Sequence, residues 1–276
     1  MSTSFDFVPV LLQQIPYKTV RIHFDHSLVE QRKLAECISS VKTMLSGQYL
    51  ELFLVEYFRE ATEYDDELME LSFAANSMPS QSILYFMFEH DYINIQSSNY
   101  MVSNGTTGAH IWEAGVALGE YLSHNRHIVH DKRVIELGCG TGFCGIVAGR
   151  CGAKLVTVTD LAVVLETCTK PNISNNIITM DLDWRYPESV DFSSFDVLIA
   201  SDVIFDPEIV PCLVELLNCA KNAGVRVTIC QKVRNLSTFD LFIEQLHIKG
   251  ISPTIADAPP CSHFYYNHTD IKLITF

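Results

Sequence analysis

The sequence is poor in basic charge: 19 Lys and Arg stand against 33 Asp and Glu, a formal net charge of −14 over 276 residues. A nucleic-acid partner needs lysine and arginine gathered on one face, so this balance argues against one, while a basic protein partner fits it. No C-x-x-C pair occurs. The nine cysteines lie scattered at positions 37, 139, 144, 151, 168, 212, 219, 230 and 261, a spacing that suggests neither a disulfide framework nor a zinc site and reads as reduced, mostly buried thiols. No apolar run approaches the roughly 20 residues that span a bilayer. The amino terminus, Met1-Ser-Thr-Ser-Phe-Asp6, has neither a basic segment nor a sustained apolar core, so no secretory signal is expected and the chain reads as cytoplasmic.

What is present is apolar material, 48% of the residues, enough for one large core and a smaller helical lobe. Leu34, Ile38, Val41 and Leu45 recur at helical spacing, and after Gly47 the pattern resumes through Leu50, Phe53, Leu54, Tyr57, Phe58 and Ala61. Asp65-Asp66-Glu67 supplies acids for the first turn of a third helix, which Met78-Pro79-Ser80 breaks. The run from Ile83 to Phe88 fits a helix or a strand equally well. Two short strands are expected at 92–96 and 99–102, followed by the turn-rich stretch Ser103 to Gly108, and the lobe boundary is placed near residue 90. The expected division is thus 1–90, a helical lobe, and 91–276, a second domain.

Beyond residue 110 strands and helices alternate. A helix through Trp112, Val116, Gly119 and Leu122 precedes strands near 133–137, 155–159, 177–180, 195–200 and 225–231, with helices at 143–151, 161–169, 207–220 and 236–248. Such alternation predicts a parallel sheet covered by helices on both faces. His263 to His268 and Ile271 to Phe276 are read as an antiparallel hairpin at the sheet edge. His124, His127 and His130, with Asp131 adjacent, are spaced like metal ligands. Asn125 and Arg126 mark that stretch as a solvated linker instead, and no metal is expected.

Residues 134–145, Val-Ile-Glu-Leu-Gly-Cys-Gly-Thr-Gly-Phe-Cys-Gly, run a short apolar strand into a glycine turn. Glycine permits the left-handed backbone of a tight strand-to-helix turn and a close approach of main chain to ligand. Twenty residues after Gly140, the next apolar run ends in Asp160, which can accept from both hydroxyls of a ribose. Turn and acid define a nucleoside-shaped slot, expected to hold S-adenosylmethionine. Gly140-x-Gly142-x-x-Gly145 also satisfies the dinucleotide fingerprint, so an NAD-dependent enzyme is an alternative. Against it stand Glu136, two residues before the first glycine, and the layout of a single seven-stranded domain.

Ligands of open parallel sheets lie beyond the carboxyl ends of the strands. There the sequence places Gly138, Cys139 and Gly140, then Asp160, then Asp181-Leu182-Asp183-Trp184, and then Ser201-Asp202. Asp181 or Asp183 is a candidate acceptor for an adenine amino group, and the Trp184 indole a wall for the ring.

The segments Asn104-Gly-Thr-Thr-Gly-Ala-His-Ile-Trp112-Glu113-Ala-Gly115, Glu136-Leu-Gly-Cys-Gly140, Asp183-Trp184 and Ala200-Ser201-Asp202-Val-Ile-Phe205 resemble the seven-strand protein-lysine methyltransferases, methyltransferase family 16. Lys232-Val-Arg-Asn235 before a Phe-rich helix is similar to the branch of that family acting on elongation factor 2. The resemblance implies an α/β, seven-stranded Rossmann-like S-adenosylmethionine-dependent methyltransferase with an N-terminal helical lobe, working as a monomer on a protein substrate, with neither nucleic acid nor membrane as partner. It implies that Trp112, Glu136, Gly138, Cys139, Gly140, Asp160, Asp183, Trp184 and Ser201 hold the cofactor. Glu113, Asp202 and Phe205 would face the incoming lysine. Ser201 stands where the family usually has Ala, and Phe205 where it usually has Tyr. The second change removes a hydroxyl from the acceptor side and permits an alternative reading, a catalytically silent binding module on the cofactor fold.

Overall fold

The computed structural model describes residues 7–15, 20, 24–75, 83–97, 107–174, 176–260 and 264–276. The expected strand at 99–102, most of the turn at 103–108, the break at 78–80, His263 and Cys261 lie outside them. The chain divides into two compact units, residues 1–95 and 96–276.

In the first unit, α1 (Phe7–Leu12), α2 (Leu28–Val41), α3 (Gly47–Phe58) and α4 (Asp66–Ala75) accompany a hairpin of β1 (Ile83–Phe88) and β2 (Asp91–Gln96). The start of α2 is set locally. Ser27 accepts from the Glu30 N–H at 3.2 Å, satisfying a donor that the first turn leaves over, while the Glu30 carboxylate reaches back to the Asp25 and His26 N–H groups ahead of the cap at 2.6 and 3.1 Å. Tyr57 in α3 donates to the same carboxylate at 2.8 Å. An aromatic cluster of Phe7, Phe24, Phe53 and Tyr57, with Phe24 5.2 Å from Phe7, fills the space between these helices. The run at 83–88 is a strand, turned back on itself at Glu89, whose φ is 57°.

The second unit is a seven-stranded sheet in the order β5-β4-β3-β6-β7-β9-β8, made of β3 (Arg133–Leu137), β4 (Leu155–Asp160), β5 (Ile177–Asp181), β6 (Val197–Ser201), β7 (Arg226–Lys232), β8 (Thr254–Asp257) and β9 (Ile271–Thr275). The first five are parallel; β9 runs antiparallel to β7, and β8 to β9. Around it lie α5 (Glu113–His124), α6 (Phe143–Arg150), α7 (Ala162–Val164, continued as a π turn through Thr169), α8 (Val210–Asn222) and α9 (Leu236–Ile248). The centre strands are apolar on both faces, as a sheet covered on both sides requires: Val134, Ile135, Val197, Leu198 and Ile199 are all buried. Strand order reverses between β3 and β6, which opens a crevice at their carboxyl ends.

The edge hairpin departs from expectation. Its first strand is β8 at 254–257, and residues 264–268 form no strand. Phe264 and Tyr266 are buried instead. The Phe264 ring lies 5.6 Å from that of Phe143, its N–H donates to the buried Glu120 carboxylate at 2.8 Å, and the Tyr266 hydroxyl donates to the Pro259 carbonyl. Aromatic residues with high strand propensity are thus used for packing against helices, while the exposed edge goes to the short strand Thr254–Asp257, bounded by Thr254 and Asp257.

Candidate active site

The β3–α6 turn is built from backbone that only glycine tolerates well. Gly138 and Gly140 have φ of 61° and 52°, and a Cβ on Gly140 would lie 2.8 Å from the Gly108 carbonyl oxygen. A Cβ on Gly138 would press on the Trp184 ring at 3.2 Å. The turn is held from outside by side chains. Asp160, at the end of β4, accepts from the Gly140 N–H at 3.0 Å and from the Leu161 N–H at 2.8 Å. Thr169, on the π turn after α7, donates to the Gly140 carbonyl at 2.6 Å, and the Asn172 amide donates to the Thr141 carbonyl at 3.1 Å.

These elements enclose a cavity of about 320 Å³, lined by Trp112, Glu136, Gly138, Cys139, Gly140, Asp160, Asp183, Trp184, Ser201, Asp202 and Phe205 among others. Eleven of the twelve residues singled out in the sequence thus border one space; Glu113 does not. Its carboxylate forms an ion pair with the Lys232 ammonium at the end of β7. Asp202 is likewise engaged. Its φ is 52°, and Oδ1 accepts from the Gln231 amide, the Lys232 N–H and the Arg234 guanidinium at 3.2, 3.1 and 2.9 Å, while Oδ2 accepts from Arg234 at 3.1 Å. Arg234 also stands 4.9 Å over the Trp112 ring, a cation–π contact. Asp183 holds the Arg185 guanidinium with both oxygens, at 2.9 and 3.0 Å from Nε. Asp202 and Asp183 at the cavity and Glu113 beside it therefore each carry a base. Asp183 and Asp202 follow the carboxyl ends of β5 and β6 and Glu113 opens α5; the pairing of each with a base is not readable from the sequence.

Two carboxyls deeper in the slot are shaped by burial. Glu136 is 1% exposed; loss of hydration, reinforced by the neighbouring Asp160 charge, pushes its pKa up to about 8 against the N–H of Gly145 and the thiol of Cys144, which favour the anion. Its Oε2 has no hydrogen-bond partner among the described residues. Asp160 is also raised by burial, opposed by its two backbone N–H bonds. The Cys139 and Cys144 thiols are raised well above the usual range by burial, which makes them poor nucleophiles. Cys139 contributes backbone, its N–H donating to the Thr159 carbonyl at 2.9 Å. Ser201 lies 3.7 Å from the Cys144 sulfur, and Phe205 is 60% exposed at the rim.

The cavity fits a nucleoside bearing an ammonium group. An orphaned carboxylate oxygen waits at Glu136. Asp160 has spent two of about four acceptor positions on backbone, which leaves capacity for hydroxyls. A cradle that a Cβ would fill lies at Gly140, and the Trp184 indole borders the slot beside Gly138. Residues that sequence reading did not single out also contribute: Thr169 and Asn172 brace the turn, and Asp206 lines the cavity. Thr169 carries no motif, since its role depends on the π turn that aims it.

A family model described as lysine methyltransferase matches residues 89–248, more than half of the chain. Among curated proteins, the protein-lysine N-methyltransferase EFM3 of Chaetomium thermophilum is 28% identical over 216 residues, 70% of this chain and 64% of that protein. The human protein-lysine N-methyltransferase EEF2KMT is 27% identical over 243 residues, 76% of this chain and 73% of that protein. The histone-arginine methyltransferase METTL23 of Xenopus laevis is 33% identical over 114 residues, 39% of this chain and 49% of that protein. The matched region thus spans 64% of EFM3 and about half of METTL23. The methyl donor of this fold and family is S-adenosylmethionine. With its seven-stranded sheet, its glycine turn and a family match over 160 residues, the chain belongs to the lysine methyltransferase family.

Proposed function

We propose that this chain transfers a methyl group from S-adenosylmethionine to a lysine of a protein substrate, with elongation factor 2 as the first candidate, and that it works as a cytoplasmic monomer. The observation that carries the reading is the cavity in which the glycine turn, Asp160, Trp184 and the unpartnered Glu136 oxygen meet. In it Glu136 receives the ammonium of the cofactor, Asp160 the ribose, and Trp184 the adenine ring; Gly138, Cys139 and Gly140 supply backbone. Trp112 and Ser201 close the methionine side, and Asp183, committed to Arg185, shapes the adenine end rather than bonding it. Candidacy of elongation factor 2 rests on the Lys232 to Asn235 motif and on the likeness to EEF2KMT.

The bound cofactor supplies an electrophilic methyl on sulfonium. That methyl would pass to the lone pair of the acceptor nitrogen, leaving S-adenosylhomocysteine, and the amine's excess proton would go to water. This chain's residues therefore align the partners and admit a neutral amine. An unperturbed lysine, pKa about 10.4, is neutral in only about one molecule in a thousand near pH 7. Phe205 and Trp112 at the rim favour the neutral form by removing water, and the pairing of Asp202 and Glu113 with bases limits the opposing pull of their charges.

The test is transfer of labelled methyl from S-adenosylmethionine into a cell lysate and into purified elongation factor 2, followed by acid hydrolysis of the labelled band. Methyl-lysine in elongation factor 2 is the expected product. Binding of S-adenosylhomocysteine without transfer marks a silent binding module, and methyl-arginine an acceptor class like that named for METTL23.

A further inference from the structure

The acceptor's ammonium needs a carboxylate that is free to meet it, and the two acids that sequence assigned to this task are both committed. Asp202 spends four hydrogen bonds on Gln231, Lys232 and Arg234, and its side chain is 5% exposed. Glu113 pairs with Lys232 and does not line the cavity. Asp183 is held by Arg185. Glu136 and Asp160 are buried in the depth of the slot. Asp206 remains. It lines the same cavity, next to Phe205 and Ile209, and has no cationic partner among the described residues. Its Oδ1 accepts from the Glu208 N–H at 2.9 Å, and that is its one side-chain hydrogen bond among the described residues.

The position of this carboxylate is fixed from both sides. The buried Gln231 side chain accepts from the Ile204 N–H at 2.9 Å and donates to the Ile204 carbonyl at 3.1 Å, pinning the loop just before it. The Asp206 carbonyl accepts from the Ile209 and Val210 N–H groups at 3.1 and 3.2 Å, starting α8 just after it. A free, half-exposed carboxylate on a clamped loop at the rim is suited to a cation that arrives from solvent, since the charge costs little to keep there and little reorganisation is needed on contact.

We propose that Asp206 is the positioning carboxylate for the acceptor's ammonium group, and that Asp202 and Glu113 instead hold the rim through Arg234 and Lys232. The assignment deepens the lysine reading above and rests on it. Because Asp206 also closes a turn at the start of α8, the variants must separate charge from turn geometry. Asp206→Asn keeps an oxygen for the Glu208 N–H and removes only the charge; Asp206→Glu keeps the charge and disturbs the turn.

The experiment uses the full chain saturated with S-adenosylhomocysteine and titrates it with n-butylammonium as the lysine side-chain probe, following heat and, in parallel, the melting temperature. Losing one carboxylate about 4 Å from the cation, in a setting close to water, weakens binding about fivefold or more. We expect that loss in Asp206→Asn at an unchanged melting temperature and unchanged S-adenosylhomocysteine affinity, with Asp206→Glu recovering much of it. An Asp206→Asn protein that binds the probe like wild type, or that loses S-adenosylhomocysteine affinity in the same measure, overturns the assignment. So does a wild-type protein that methylates a protein lysine yet takes up no butylammonium. A wild-type protein that shows the Asp206-dependent uptake but labels no lysine in lysate refutes the proposed function while leaving the cation site standing.

Discussion

Glu136 makes the proposed cofactor slot testable by pH alone. Its carboxyl is pushed from 4.5 to about 8 mainly by burial, while an unfolded chain releases the same proton near 4.5. Between those values the folded protein holds more protons than the unfolded one, so stability falls as pH rises through that window and is flat on either side. At 1.36 kcal/mol per pH unit the interval corresponds to about 5 kcal/mol, which water penetration and relaxation will reduce. The groups facing it are Asp160, whose charge raises it further, and the Gly145 N–H and Cys144 thiol, which favour the anion. An ammonium brought to Oε2 reverses the balance and ionises the group. S-adenosylhomocysteine binding at pH 6.5 should therefore release close to one proton, read by calorimetry in buffers of different ionisation enthalpy, with the release vanishing above about pH 9. Affinity should climb with pH up to about 8. Glu136→Gln should lose both the proton release and the decline in melting temperature between pH 5 and pH 8. Equal proton release in wild type and Glu136→Gln would refute the reasoning, because the ammonium would then be meeting another group.

Other substitutions probe the walls. Gly140→Ala places a Cβ 2.8 Å from the Gly108 carbonyl at a left-handed φ, so S-adenosylhomocysteine affinity should fall at least tenfold by calorimetry, with far-ultraviolet dichroism unchanged. Trp184→Ala should weaken cofactor binding by about 1–3 kcal/mol if the indole lines the adenine; a drop in melting temperature at constant affinity would make it a core residue instead. Thr169→Val removes the hydroxyl that donates to Gly140 at 2.6 Å, which should cost about 1 kcal/mol of cofactor affinity, and Thr169→Ser should restore it. Arg234→Ala uncovers the Asp202 carboxylate and should move the rising limb of the kcat pH profile to higher pH, since an uncompensated anion beside the acceptor favours its charged form; an unmoved limb would place Asp202 out of reach of the amine.

Much of the sheet was legible because its signals are local. The apolar runs at 133–137 and 155–159 and the glycine spacing after the first obey rules of strand burial and backbone sterics that act within a few residues, and the strands Arg133–Leu137 and Leu155–Asp160 fall where those rules put them. Where tertiary packing decides, the reading failed. The aromatic segment after residue 263 has the composition of a strand, yet Phe264 is drawn to Phe143 and Glu120, contacts over 100 residues away in sequence. The segment 161–169 shows helical periodicity, but nothing in it announces that the helix loosens into a π turn, which is what carries Thr169 to the Gly140 carbonyl. At the site, residue types at strand ends were readable and their pairings were not. Glu113 and Lys232 are 119 positions apart.

Those pairings bear on how so acidic a chain can handle an amine. A net charge of −14 draws cations toward the surface, but several unpaired carboxylates crowded around the reacting nitrogen would hold it protonated and oppose transfer, so a single positioning acid such as Asp206 works best among acids that are paired. The structure divides the two tasks by position. Asp202 with Arg234, Glu113 with Lys232 and Asp183 with Arg185 present nearly neutral groups around the rim. Arg234, 43% exposed, covers Trp112 as well as Asp202, so the same side chain that cancels the charge also stacks over the indole that lines the slot. A base placed two residues beyond the end of β7 thus sets both the polarity and the wall of the acceptor side. Replacing it with lysine would keep the charge and lose the planar fork that reaches Asp202 and Trp112 together, which is why arginine is the residue this geometry requires.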